Sequence, residues 1–226
     1  MQLSPLKKIV VVSGVGLLAW MVLSKSGTSA SGASIPSTGR LNAEAFSHLD
    51  GMSDPDRVQV ARWLADEASR QGFTRAEVAA LLSMAHQESR FDPGAVSSAG
   101  LPDDAGGRSW GVLQFIKTTL TRLHFTKEDV TPRSTADIER AVRQSVRVAK
   151  VFLTWPRWQS WVKAMGEPHF LAAVRARSSD PYEVACDIFA GWPSGTNQNC
   201  DNATEKVRQK IANRMAVFPP FLEAVS

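Results

Sequence analysis

Cysteine, histidine and tyrosine are scarce in this chain, and the shortages narrow its chemistry. The two cysteines, Cys186 and Cys200, lie too far apart for the short ligand spacing of a zinc site, and His48, His86, His124 and His169 are scattered. No glycine-rich Walker loop is present, so neither a metal nor a cofactor is expected. Zinc-finger, RNP and basic-zipper patterns are missing too, and nucleic acid is therefore not expected as a partner. Convincing alternation of apolar and polar residues is also lacking, which argues against a strand-built core. At 226 residues the chain has room for one domain of about 150 to 200 residues plus short appendages.

Acidic residues are absent before Glu44, while Lys7, Lys8 and Lys25 supply three of the four net positive charges. The remainder is close to neutral. Lys7-Lys8 precede the uncharged apolar run Ile9 to Leu23, which is shorter than the roughly 20 residues of a full membrane span. Thr28-Ser29-Ala30 or Ser31-Gly32-Ala33 would serve as a cleavage site. Residues 1–24 are thus expected to be a signal peptide or a membrane anchor, 25–40 a Ser/Gly-rich flexible linker, and 41–226 the folded domain. The flanking lysines favour a cytoplasmic N-terminus, with the domain across a bacterial membrane. A Cys186–Cys200 disulfide would suit that compartment and close a short polar loop, contributing about 3 kcal/mol, with two free thiols as the alternative.

The domain reads as all-α, a single-core bundle of roughly six to eight helices. Asp54-Pro55 caps a helix with Val60, Leu64 and Ala68 inward, ended by Gln71-Gly72. Thr74-Arg75-Ala76-Glu77 is a capping box opening an amphipathic helix with Val78, Leu81, Leu82 and Ala85 inward. Ser134 to Asp137 opens a third, broken at Trp155-Pro156; Asp180-Pro181 opens a fourth, stopped by Gly191. Asn202 to Glu205 starts the last, with Val207, Ile211 and Met215 in line. The stretch Arg133 to Arg177 is rich in arginine, which suits either an anionic polymer or, more plainly, one solvated helix face.

Glu88 falls at the end of the second helix, just before Asp92-Pro93 stops it, because a residue before proline avoids the helical region. The negative end of the helix dipole and the neighbouring apolar face both disfavour an ionised carboxyl, as a general acid requires. Taken alone, a last-turn glutamate paired with Arg90 is the simpler reading. His86, two residues earlier, points elsewhere and reads as structural.

The company of Glu88 changes that balance. Gln87-Glu88-Ser89-Arg90-Phe91-Asp92-Pro93, Ala95-Val96-Ser97 and Trp110-Gly111-Val112-Leu113-Gln114-Phe115 resemble lytic transglycosylases of the soluble and virion-associated type, related to goose-type lysozymes. The clear match covers only Leu82 to Phe115. The resemblance implies a lysozyme-like fold, peptidoglycan glycan strands as partner, and Glu88 as acid/base. It further implies Ser97 near the substrate acetamido group, Gln114 lining the cleft, and Ser89, beside the acid, as a further substrate-binding residue. Where the family tends to carry Ala-Tyr-Asn-Ala-Gly, this chain has Asp187-Ile188-Phe189-Ala190-Gly191; Tyr182 is the one tyrosine that could replace the missing contact.

A lytic transglycosylase needs one carboxyl, whereas an inverting lysozyme needs a second carboxylate about 6.5 to 9.5 Å away. The family usually has only a couple of residues where this chain inserts Leu101 to Trp110, and Asp103 and Asp104 in that insertion are candidates for the second carboxylate, as is Asp92. Loop solvation is the plainer role for the insertion pair. A binding protein that has lost turnover is the remaining alternative. Trp155, Trp158 and Trp161 read as a packed stripe, while Trp110 and Trp192, beside glycines, are the better candidates for stacking on sugars. An apolar leader, a tether and a glycan-cleaving domain suit a virion component that opens the wall, a conjugation or secretion apparatus, or a housekeeping enzyme.

Overall fold

The computed structural model describes residues 40–97, 108–156, 160–192 and 198–226. The expected leader at 1–24, all but the last residue of the linker, Asp103, Asp104 and Trp158 lie outside the described residues. Among the described residues no helix is long and apolar enough to cross a membrane.

The domain is helical, with ten α-helices among the described residues. In chain order these are α1 (Pro55–Arg70), α2 (Arg75–Ser89), α3 (Lys117–Arg122), α4 (Lys127–Val130), α5 (Ile138–Thr154), α6 (Ser160–Ala164), α7 (Phe170–Arg177), α8 (Pro181–Gly191), α9 (Glu205–Met215) and α10 (Phe218–Ala224). The count exceeds expectation because α3, α4 and α6 are too short to carry a periodic signal. One helix follows the supposed last one. Pro219-Pro220, which reads as a breaker, occupies the first turn of α10, where backbone N–H groups have no helical partner to lose. A small antiparallel hairpin, β1 (Ser109–Trp110) with β2 (Phe115–Ile116), was not anticipated; two-residue strands are too short to show alternation.

The capping signals act as the sequence implies. The Asp56 N–H donates to Asp54 Oδ1 at 2.9 Å, and the Thr74 N–H donates to Glu77 Oε2 at 2.8 Å. Helix α2 departs from its expected one-sided pattern: every residue from Ala76 to His86 is buried. It is the central rod of the fold, packed by α1, α8, α9 and α10. A helix enclosed on all sides needs apolar or small residues all round, which explains its alanines.

Arg75 joins the start of α2 to the end of α10, donating to the carbonyls of Leu222 and Val225 at 2.7 and 2.6 Å. The two ends of the described chain meet there: Leu41 bridges Val225, and the Asn42 N–H donates to the Ala224 carbonyl. Between α8 and the segment before α9, Cys186 and Cys200 form a disulfide.

The arginine-rich stretch does lie on a solvated face, with Arg140 and Arg147 42% and 52% exposed, but its arginines are paired there rather than free. Arg143 pairs with Asp66 and Glu139, Arg147 with Glu67, and Arg175 with Glu77. Arg140 embraces Asp137 and, with the Arg133 N–H, holds that carboxyl down at about 2. Helix α5 is thereby riveted to α1, whose buried Glu67 accepts from both Arg143 and Arg147.

Candidate active site

Helix α2 leaves its enclosed stretch at Gln87, and the next residue is Glu88, whose side chain is 30% exposed. The chain then makes an abrupt exit. Arg90 and Phe91 both take left-handed backbone conformations, φ 54° and 61°, unusual for residues with a Cβ and costly in strain. Phe91 is buried, and its ring lies 5.8 Å from Phe221 and 6.2 Å from His86, so packing holds the strained turn closed. Asp92 then caps its own turn, with Oδ1 accepting from the Gly94 N–H at 2.8 Å.

Ser89 fastens the helix end to the hairpin. Its hydroxyl bonds the carbonyls of Ala85 at 3.0 Å and of Val112 at 2.9 Å. Beyond it, Gln114 has φ 52°, and its amide donates to the carbonyls of Ala95 and Gly111 while accepting from the Ser109 hydroxyl at 2.7 Å. The Ser97 hydroxyl accepts from the Ser109 N–H at 2.9 Å, and the Ser97 N–H donates back to the Ser109 carbonyl. Ser89, Ser97 and Gln114 therefore belong to one hydrogen-bonded frame attached to the end of α2. Gly111 is required in that frame: with φ 77°, any Cβ would collide with the Val130 carbonyl.

Trp110 is not in a loop. It sits in β1, 5% exposed, bridged to Val96 and walling a cavity of about 260 Å³ with Leu120 and Phe125. Trp192 caps α8 half-buried, between Phe115 at 5.4 Å and Phe152 at 5.2 Å, and so joins the hairpin to the helices. Trp161 packs edge-on against Phe170, as a core stripe implies. Ile188, at the position of the family's tyrosine, is fully buried, and Tyr182 packs edge-on against Phe218.

On its other side Glu88 meets Arg214 of α9, which the sequence reading missed. The Arg214 Nη2 bonds Glu88 Oε1, Nη1 donates to the Phe189 carbonyl at 3.1 Å, and the side chain is 3% exposed. The expected partner Arg90 instead reaches Asp50 and His86. A signal was available: Val207 and Ile211 place position 214 on the same inner face, so an arginine stood within an apolar stripe, and it is Arg214 rather than Met215 that is buried there.

His86 is buried as a structural residue, its Nε2 3.0 Å from the Asp50 carbonyl, and burial pushes its pKa down. No cluster of His, Cys, Asp or Glu among the described residues would hold a metal ion.

A family model for phage tail lysozymes matches residues 59–218. The chain belongs to the phage tail lysozyme family. The matched stretch runs from α1 into the first residue of α10, so this lysozyme family spans Glu88, the hairpin and Arg214 together. Lysozymes degrade peptidoglycan, the substrate class that the Gln87 to Phe115 pattern implies. Searches of curated proteins and of solved structures return no match.

Proposed function

We propose that the domain is a lytic transglycosylase that cuts the MurNAc–GlcNAc bond of peptidoglycan, with Glu88 as its single acid/base. The observation that carries this reading is the setting of Glu88: partly exposed, one oxygen engaged by Arg214, the other without a partner among the described residues. A group that gives up a proton and later takes one back needs both access and a fixed aim.

In the forward step the Glu88 carboxyl donates its proton to the bridging oxygen. The bond from C1 of the muramoyl sugar to that oxygen breaks, and its electron pair leaves with the departing sugar as a hydroxyl. The substrate acetamido oxygen supports C1 from the opposite side. Glu88, now a carboxylate, removes the proton from the muramoyl 6-hydroxyl as O6 bonds to C1. The product is a 1,6-anhydromuramoyl end, no water is consumed, and Glu88 is protonated again.

Ser97 is assigned to the acetamido side, with Gln114 and Trp110 shaping the wall and Ser89 locking that wall to the helix. Gln114 spends its amide on the frame, so its contribution is to hold the hairpin in shape. The inverting route requires a second carboxylate; Asp92 has one oxygen committed to the Gly94 N–H, and Asp103 and Asp104 are outside the described residues. The lysine-flanked apolar run Ile9 to Leu23 and the Cys186–Cys200 disulfide support action on the far side of a bacterial membrane, as part of a virion or an envelope apparatus.

Digestion of purified sacculi followed by mass spectrometry tests the reading. Anhydro ends are expected; reducing ends would replace it with hydrolysis, and intact sacculi would reject both.

A further inference from the structure

The buried Arg214 has no role in the reaction as written above, yet it occupies an unusual place. Glu88 is in the last turn of α2, Phe189 is in the last turn of α8, and Arg214 is in the last turn of α9. Three helix C-termini, each the negative end of its dipole, converge on one guanidinium. The Phe189 carbonyl is among the last four of α8, which lack an intrahelical donor, and Arg214 supplies one. The face of the Phe189 ring lies 5.9 Å from the guanidinium carbon and adds a further favourable site for a cation. An arginine this deeply buried is tolerated only when its donors and charge are met in this way.

We infer that Arg214 is a positioning residue for Glu88: it fixes Oε1 against the end of α8, so that Oε2 alone faces the substrate and carries the proton. This rests on the transglycosylase reading. The planar fork matters, because one guanidinium reaches both the carboxylate and the Phe189 carbonyl, which a lysine ammonium does not span with the same geometry. The guanidinium, itself 3% exposed, also lies beside the charge that develops on Glu88 as its proton departs. Its effect therefore belongs to turnover rather than to glycan affinity.

The experiment compares wild type, Glu88→Gln, Arg214→Lys, Arg214→Met and Arg214→Ala on soluble uncrosslinked glycan strands, with melting curves for each. In Arg214→Lys we expect kcat to fall about tenfold with KM within about threefold; in Arg214→Met, where Glu88 is left unaimed, about a hundredfold. Added guanidinium should raise the kcat of Arg214→Ala and leave wild type unchanged. If the Met and Ala variants fail to fold, the Lys variant decides. Wild-type kcat in a folded Arg214→Lys, or a loss seen only in KM, overturns the inference. Should Glu88→Gln be inert while every folded Arg214 variant keeps full turnover, the inference alone fails. If wild type itself releases nothing, the transglycosylase reading fails and takes the inference with it.

Discussion

Helix α2 carries two glutamates, one near each end, and each meets an arginine from a distant helix. Glu77, in the first turn, is fully buried; its two oxygens accept from Arg175 at 2.6 and 2.7 Å, and one of them also accepts from the Thr74 N–H. Glu88, in the last turn, is 30% exposed and bonds Arg214 through one oxygen. The helix dipole favours the carboxylate at the first position and opposes it at the second. The same residue type, with the same type of partner, is thus saturated at one end and left with an open oxygen at the other. On the proposed function, the structural glutamate has every bond satisfied, and the one assigned to the chemistry is held but not filled.

Exchanging each carboxyl for an amide should separate the two roles most sharply. Glu88→Gln is expected to reduce glycan release by about 100- to 10,000-fold, with a melting temperature close to wild type, because shape survives and the transferable proton does not. Release that persists in Glu88→Gln would reject Glu88 as the acid. Glu77→Gln should do the reverse, costing about 1–3 kcal/mol in denaturant unfolding through the lost bidentate pair, with activity per folded molecule retained.

Phe91→Ala probes the strained exit that follows Glu88 at the end of the buried rod. It should cost about 3–5 kcal/mol in chemical denaturation, since the ring is almost wholly buried and holds two left-handed residues in place. Reduction of Cys186–Cys200 should cost about 3 kcal/mol, read as a lower melting temperature under reductant that is absent in Cys186→Ser. The smallest effect expected is that of His86. Its folded pKa lies below the ordinary 6.5 because burial disfavours the charged ring, so the unfolded chain binds the proton more readily. Stability from the neutral ring is then complete above about pH 6.5 and is lost as pH falls through the lower folded value. A melting temperature of wild type that is flat between pH 7 and 5 after correction against His86→Gln would remove this contribution.

Much of the framework was legible because its signals are local. Asp54-Pro55, Thr74 to Glu77 and Asp180-Pro181 open helices where the chain places them, since a cap involves residues within one turn. Glu88 stood out for the same reason, its helix ending within a few residues. The short helices α3, α4 and α6 and the two-residue strands were illegible, as they hold too few residues for periodicity. The pairing of the arginine-rich stretch was illegible because a count of charges contains no partners: Asp66, Glu67 and Glu77 come from helices 70 or more residues earlier in the chain. Pairing across such separations has no local pattern.

By itself the sequence determined the helical class, the caps, the position of Glu88 at a helix end and its motif with Ser89, Ser97 and Gln114. Each of these depends on neighbours in the chain or on a short spacing. Only the tertiary structure decided that α2 is enclosed on every side, that Ser89 ties the hairpin to it while Gln114 ties the hairpin to Ala95, and that Arg214 meets Glu88 across 126 residues of chain. Such contacts are chosen by the packing of whole helices, which brings three C-termini to one point, and no single segment carries the instruction for where its neighbour will end.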